Sequence, residues 1–410
     1  MRQSSLFSKA RREAPTDEQS QNARLLIQAG YVDKVMAGVY SFLPLGLRVL
    51  NNICTIIREE MNALGAVELS LTALQNPEVW KKSDRWDGDV WFKTELTQGG
   101  ALGLGWTQEE EITELMTRHI QSYKDLPRAA YQIQTKFRNE ERAKSGILRG
   151  REFLMKDLYS FHSEEGDLDL FYQRAQDAYA HIFERVGLGE CTFPAIASGG
   201  AFSKWSHEFQ TLSPAGEDTI YYSKERGVAV NKEVYSPEVL EELGISADEL
   251  IEAPSIEVGN IFKLGTRFSE PLGLLYADEA GERHPVVMGS YGIGPGRVMG
   301  TIVEVSSDER GIVWPEAIAP FRYHLIALPD ANGTVEKEAE KLYTRLTSLG
   351  ITVLYDDRLE LSAGERFAEA DLLGISTRLV ISERTLGKGV ERKDRKTGSV
   401  DIIPYAVLEP

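Results

Sequence analysis

Between Phe137 and Asp157 the chain reads FRNEERAKSGILRGREFLMKD. Tyr131–Phe137 reads as a strand that Arg138 and Glu140 bring to an end; a polar loop follows, and Arg149 to Phe153 begins a return strand. This constrains the fold more than any other segment, because it demands a hairpin whose loop end carries two arginines and a carboxylate. A guanidinium fixed in such a place can stabilise charge that develops on phosphoryl oxygens through paired hydrogen bonds, and Arg138 is the candidate. The competing reading is a hairpin decorated with exposed ion pairs, which are common and contribute little.

A second informative segment is Gly289–Arg297, GSYGIGPGR, a glycine-rich strand end leading into a helix. Small residues let backbone approach a nucleotide closely, and Arg297 can reach a terminal phosphate. A dinucleotide-binding fingerprint is excluded by the spacing, by Pro295 and by the lack of a phosphate-binding lysine pattern. Upstream, Leu47, Leu50, Ile53, Ile57, Met61 and Leu64 recur at helical spacing, with Arg58, Glu59 and Glu60 opposite them. They predict a long amphipathic helix after a turn at Pro44–Gly46.

Organisation follows from these elements. Leu168–Val186 reads as a helix, and Gly259–Leu264 and Val286–Tyr291 as strands, so residues 1–315 are expected to form one α+β domain. Pro315 and Pro320 punctuate GIVWPEAIAPF, Gly311–Phe321, as an expected linker. Beyond it, Tyr323–Leu328, Val335–Leu349, Ile351–Tyr355, Gly364–Leu373 and Arg378–Ile381 follow a βαβαβ rhythm, which predicts a second, small α/β domain at 320–410. A length of 410 residues accommodates two such cores. Cys54 and Cys191 are the only cysteines, without CxxC spacing, so no disulfide framework or thiolate zinc site is suggested and a reducing cytoplasm fits. No apolar run approaches the roughly eighteen residues of a membrane span. Acidic residues in the Arg- and Ser-rich start argue for mature sequence rather than a transit peptide. The net charge of −17 discourages indiscriminate nucleic-acid binding but leaves room for a local basic face.

The helix with its leading Pro44, the Arg-x-Glu/loop/Arg-x-x-x-Phe hairpin and the glycine-rich strand with Arg297 occur in the order of the three class II aminoacyl-tRNA synthetase signatures. Across nearly the whole chain, the blocks GVYSFLPLG, YQIQTKFR, REFLMKDLYSFH, SHEFQ, VGNIFKLG, MGSYGIG and DERGIVWPEAIAPF resemble the prolyl-tRNA synthetase family of bacterial type. The resemblance implies an antiparallel catalytic sheet flanked by helices, an anticodon-binding domain, a homodimer, and ATP with Mg²⁺ but no structural zinc. It further implies an ATP site of Arg138, Glu140, Arg149, Phe153, Gly294 and Arg297. There Glu140 meets the adenine amino group or the arginine network and Phe153 stacks on the base. For the amino acid it implies Thr107 and Glu109 on the imino group, with Phe161, Trp205, His207 and Ser290 around the ring. As bare sequence, TQEEE is a helix start in which Thr107 caps and Glu110 is the capping-box acid.

Departures are informative. Trp106 and Gln108 stand where many relatives have Pro and His, and Ser290 where many have Cys. Between the second and third signatures only about thirty residues, roughly Ser223 to Ser255, replace the editing domain of many relatives, too few for an independent fold. SPEVLEELGISADELIEAP reads there as a short acidic helix-turn-helix in a remnant connection, and a separate deacylase for alanyl-tRNA(Pro) becomes an expected partner. The segment Glu383–Lys396 carries six basic residues against three acidic ones. Arg392, Lys393, Arg395 and Lys396 are therefore candidates for tRNA contact, with Asp357, Arg358 and Arg366 as the alternative set; a solvated hairpin is the plain reading. The chain is also expected to lack the zinc-bearing tail of archaeal and eukaryotic-type relatives. A threonyl- or glycyl-tRNA synthetase is the nearest alternative activity, and a non-catalytic RNA-binding paralogue the alternative from another class. The Thr107–Glu109 pair argues against the first, and intact Arg138, Glu140 and Arg297 against the second.

Overall fold

The computed structural model describes residues 1–16, 18–141, 143, 145–200 and 204–408. They divide into two compact units, one of residues 36–39 and 54–301, the other of 1–35, 40–53 and 302–410. This division differs from a single cut at 315–320, because the expected linker is core. Gly311–Ile312 pairs with Ser307–Asp308, and Trp314, Ile318 and Phe321 are at most 2% exposed. The Trp314 indole donates to Tyr31 Oη at 2.9 Å, and Tyr31 donates in turn to the Leu373 carbonyl at 2.7 Å. Two prolines interrupt regular structure here, but the apolar side chains between them still gain from leaving water. Gly374 is required at this point: its φ is +73°, and a Cβ would lie 2.1 Å from the Ile312 carbonyl oxygen.

The unit of residues 36–39 and 54–301 is built on a nine-stranded sheet. Its strands in chain order are β1 (Val67–Glu68), β2 (Arg128–Phe137), β3 (Glu152–His162), β4 (Thr192–Ser198), β5 (Trp205–Leu212), β6 (Asp218–Ser223), β7 (Val228–Asn231), β8 (Ile251–Gly265) and β9 (Val287–Ile293). They lie in the order β5-β4-β7-β6-β8-β9-β3-β2-β1, and β5 also pairs with β8, so five strands close into a ring. Pairing is antiparallel except at β7–β4 and β1–β2. The segment read as a remnant connection therefore supplies β7, whose Val230 is fully buried. Its helix Pro237–Leu243 has a Ser236 cap and ends at left-handed Gly244. Helix α1 (Pro44–Ala63) begins at the proline, as a fixed φ and a missing N–H allow. Helix α2 (Glu109–Met116) opens on three glutamates, and α3 (Glu165–Arg185) packs across β3, β8 and β9. Helix α4 (Pro295–Val305) follows β9.

The C-terminal part of the other unit has the expected rhythm: β10 (Tyr323–Ala327), α5 (Thr334–Ser348), β11 (Val353–Asp356), α6 (Ala363–Leu373), β12 (Thr377–Ile381), β13 (Val390–Asp394) and β14 (Val400–Ile403). The five-stranded sheet runs β11-β10-β12-β13-β14. Its first three strands are parallel, as crossover helices require, and β13–β14 is an antiparallel hairpin on its edge. Val335, Ala339, Leu342 and Leu346 of α5 pack against this sheet.

Candidate active site

Strands β2 and β3 pair from Arg128 opposite Phe161 to Phe137 opposite Glu152, which delivers Arg138 and Glu140 beside the start of β3. The Arg138 guanidinium lies 5.2 Å from the Phe153 ring centre and donates from Nε to the Trp106 carbonyl over a long 3.4 Å. Among the described residues no carboxylate forms an ion pair with it. Burial and the nearby Arg297 guanidinium both disfavour its charge, against the pull of Glu257, Glu140 and Glu109. Arg297, in the first turn of α4, is held by the Leu148 carbonyl (2.9 Å) and by the carbonyl and carboxylate of Glu257 (3.0 and 3.2 Å). Glu140 accepts from exposed Arg149 at 2.9 Å, and Arg149 also reaches Glu217 at 3.3 Å.

Three cavities meet here. One of about 250 Å³ is bordered by Arg138, Glu140, Arg149, Glu217, Asp218, Glu257 and Arg297. A second, of about 80 Å³, adds Phe153, Asn260 and Gly294. The third, of about 360 Å³, is walled by Arg85, Trp106, Thr107, Glu109, Tyr159, Phe262 and Ser290, and it again touches Arg138 and Glu140. In it Glu109 accepts from the Thr107 hydroxyl (2.6 Å), Ser290 (3.3 Å) and Arg85 (3.2 Å). The expected capping box is absent. Gln108 occupies the cap position without a side-chain cap bond; Thr107 spends its hydroxyl on Glu109, and fully buried Glu110 turns to Ser83 (2.7 Å) and Arg85 (3.1 Å). Once a buried guanidinium is within reach, it outcompetes a backbone N–H for the carboxylate.

Thr107, Glu109 and Ser290 thus share one cavity, and the six residues expected at the nucleotide share the adjoining cleft. Three expected ring contacts lie elsewhere. Phe161 is fully buried in a core with Tyr159 and Met288. Trp205 packs with Val230, Val239 and Leu240 and donates to Glu242 at 3.3 Å. His207 meets the Tyr172 hydroxyl at 2.9 Å, and burial, aided by Lys263, lowers its pKa to about 4, so it is neutral near pH 7. Arg85, Tyr159 and Phe262 line the Glu109 cavity instead. Only the neighbouring Trp86 of SDRW marked Arg85 in the sequence; nothing there tied it to Glu109.

The expected tRNA contacts also separate. Arg366 is fully buried on Asp356 (3.1 Å) and the Ala327 carbonyl (2.6 Å). Arg358 is forked onto Asp356 and Glu369, at 2.9 Å to each. Arg395, 6% exposed, binds both oxygens of Asp308 at 2.6 and 2.7 Å, and Lys393 pairs with Asp371 at 3.1 Å. Asp357 accepts from Ser4 at 2.7 Å. Arg392 makes an exposed pair with Asp401 at 2.8 Å, and Lys396 is exposed. Arg366 and Arg395 are thus withdrawn as phosphate contacts, since the fold consumes their charge.

A hairpin arginine and a helix arginine facing one cleft, on a largely antiparallel sheet with a separate βαβαβ module, follow the plan of a class II aminoacyl-tRNA synthetase. Residues 92–306 match the family described as tRNA synthetase class II core domain (G, H, P, S and T), and residues 318–407 the anticodon binding domain. The chain is 38% identical to the proline--tRNA ligase of Agrobacterium fabrum over 434 residues, covering 98% of each. It is 34% identical to that of Exiguobacterium sibiricum over 557 residues, covering 100% of this chain and 98% of the relative. Among solved structures it is similar to prolyl-tRNA synthetase of Giardia lamblia in complex with prolyl-adenylate (TM-score 0.78, 22% identity, 94% of this chain and 73% of that one). The Cryptosporidium parvum enzyme complexed with halofuginone and AMPPNP is similar to the same degree (TM-score 0.78, 16% identity, 95% and 75% covered). The chain belongs to the proline--tRNA ligase family.

Proposed function

We propose that the chain joins proline to tRNA(Pro) in two steps, making prolyl-adenylate from proline and ATP and then transferring proline to the terminal ribose. The observation that carries this is Arg138, half-buried and, among the described residues, without a carboxylate ion pair, at the junction of the Glu109 cavity and the nucleotide cleft, where burial and then Arg297 disfavour its charge. Two guanidiniums that face one cleft, Arg138 from the hairpin and Arg297 from α4, suit an anion that binds both. The substrate carboxylate would meet the α-phosphate between them, with Arg138 taking the charge that develops, Arg297 the distal phosphate and Phe153 the base. Catalysis here is positioning plus charge stabilisation. Glu109, held on three sides, would receive the secondary ammonium. Mg²⁺ bound with ATP would offset phosphate charge, and Glu140, Glu217, Asp218 and Glu257 are carboxylates lining the cleft that could serve it. Among the described residues, no group of three or more His, Cys, Asp or Glu is arranged to hold a metal by itself.

Amino-acid-dependent exchange of pyrophosphate into ATP, run across the standard amino acids, tests the proposal. Proline should stand well above the rest; a larger response to threonine or glycine, or none at all, would refute it. We further read residues up to 315 as serving activation and 320–410 as holding the anticodon, in a cytoplasmic homodimer to which exposed Leu47 of α1 could contribute. No helix is long and apolar enough to cross a membrane among the described residues.

The alignment to the Exiguobacterium relative is 557 positions long against a chain of 410, so about 147 positions belong to the relative alone. This supports the absence of an editing domain. A pocket for proline excludes smaller alanine only by about one or two orders of magnitude. Alanine should therefore be activated measurably, preformed alanyl-tRNA(Pro) should survive incubation with the enzyme, and a separate deacylase would be its partner. Rapid enzyme-dependent release of alanine would count against this.

A further inference from the structure

Glu109 and Glu110 are neighbours in the chain, and both carboxylates turn onto one guanidinium. Arg85 Nη1 lies 3.2 Å from Glu109 Oε2, and 3.1 and 3.2 Å from the two oxygens of Glu110. It cannot readily move away, because its guanidinium carbon sits 4.4 Å from the Trp106 ring centre and 5.2 Å from those of Trp80 and Phe268. Burial works against the Arg85 charge, but the two carboxylates outweigh it. One cation cannot fully compensate two buried anions. How much of Arg85 reaches Glu109 therefore depends on the state of Glu110.

We infer that Arg85 and Glu110 are positioning residues that set how much negative charge Glu109 offers the imino group, so that proline binding, and not turnover, responds to pH near neutrality. The inference rests on the reading of Glu109 as the imino-group partner. Glu110 has no exposed surface, and among the described residues its other side-chain partner is the Ser83 hydroxyl, at 2.7 Å. Burial, with the charge of Glu109 adding to it, raises its carboxyl to about 7, against Arg85 and Ser83. Among the other charged groups on the packed elements, Arg138 and Lys136 also act on Glu109 through space. Lys136 of β2 pairs with Asp157 of β3 at 3.1 Å. Glu111 accepts from Thr72 and Gln75, at 2.8 and 2.7 Å. On the helix Pro77–Lys82, Glu78 pairs with Lys81 at 2.7 Å and Lys82 is exposed; on Ser269–Leu272, Glu270 accepts from Thr266 at 2.7 Å. Tyr159 donates to Asp157 at 3.1 Å.

The direction follows. With Glu110 ionised, Arg85 is divided and Glu109 keeps net negative charge for a secondary ammonium. With Glu110 protonated, Arg85 belongs to Glu109, and the substrate must compete with a guanidinium. The Michaelis constant for proline should thus fall as pH rises through about 7.

Proline-dependent pyrophosphate exchange between pH 6 and 8.5 tests this in the full-length enzyme. In the wild type we expect the proline KM to fall about tenfold across the range while kcat moves less than about twofold, the pattern of a ground-state binding effect. Glu110→Gln mimics the neutral acid and should hold KM at its high, low-pH value throughout. Ser83→Ala removes a donor to the ionised carboxylate while keeping every charge, so it should move the midpoint to higher pH. A Glu110→Gln enzyme with wild-type KM and pH slope would overturn the inference. If that variant fails to fold, an unshifted midpoint in Ser83→Ala overturns it instead. Glu109→Gln separates the two levels: a wild-type proline KM there sinks the reading of Glu109 itself, whereas a raised KM beside unresponsive Glu110 and Ser83 variants sinks only the inference.

Discussion

Arg138 in the synthetase core and Arg366 in the C-terminal module look alike in sequence, each a basic residue in a polar stretch proposed to meet a phosphate. Their surroundings differ completely. Arg138 has one long bond to a carbonyl and a second guanidinium pressing on it, whereas Arg366 is sealed between Asp356 and the Ala327 carbonyl without exposed surface. Arg358 and Arg395 resemble Arg366, each saturated by carboxylates. Arg138 faces a cavity and, among the described residues, forms no ion pair, while Arg366 is neutralised on the spot by Asp356.

The largest test of this contrast is Arg366→Ala, which strands Asp356 with only Arg358 to compensate it. Denaturant unfolding should show a loss of about 3–5 kcal/mol, as for other broken buried pairs. Next comes Arg138→Ala, which should cost at least about a hundredfold in adenylate formation, near 2.7 kcal/mol, with an unchanged melting curve. If the two effects were exchanged, with Arg138 needed for stability and Arg366 for activity, the contrast would fail.

A smaller effect sharpens it. Arg395 holds the Asp308 carboxyl down to about 2 through two short hydrogen bonds. A depressed acid stabilises the fold above its unfolded value, near 3.9, and loses that contribution as pH falls through about 2. Asp308→Asn should therefore be less stable than wild type at pH 7. Because Asp308 is 43% exposed, the difference should be only about 1 kcal/mol after screening, and it should disappear toward pH 2. A gap that persists at pH 2 would show that shape, not charge, matters there.

The smallest expected change in stability, under about 0.5 kcal/mol, is for joint replacement of exposed Lys388, Arg392 and Lys396 by alanine. Their effect should be on RNA instead. The KM for tRNA should rise and its salt dependence flatten, with pyrophosphate exchange unchanged. Unaltered tRNA affinity at low and moderate salt would remove the β13–β14 hairpin as a binding surface.

Much of the fold was legible because local rules and tertiary packing agree. Pro44 and the heptad-like apolar spacing mark α1, and the alternation around Arg138 and Phe153 marks the β2–β3 hairpin. The C-terminal βαβαβ rhythm was readable for the same reason. Within the site, residue type and order made Arg138 and Arg297 candidates, and the family resemblance added Thr107 and Glu109. What the sequence by itself determined was therefore which elements form and which residue types stand at the nucleotide cleft. Tertiary structure alone decided that GIVWPEAIAPF is core, that residues 228–231 complete a ring of strands, and that Phe161, Trp205 and His207 turn away from the cavity. It also decided which cations remain available, since pairs such as Arg85–Glu110, Arg395–Asp308 and Arg366–Asp356 join residues 25, 87 and 10 positions apart. Hydrophobic periodicity and capping act within a few residues of chain. Neutralising a charge depends on distance in space, which only the packed fold sets.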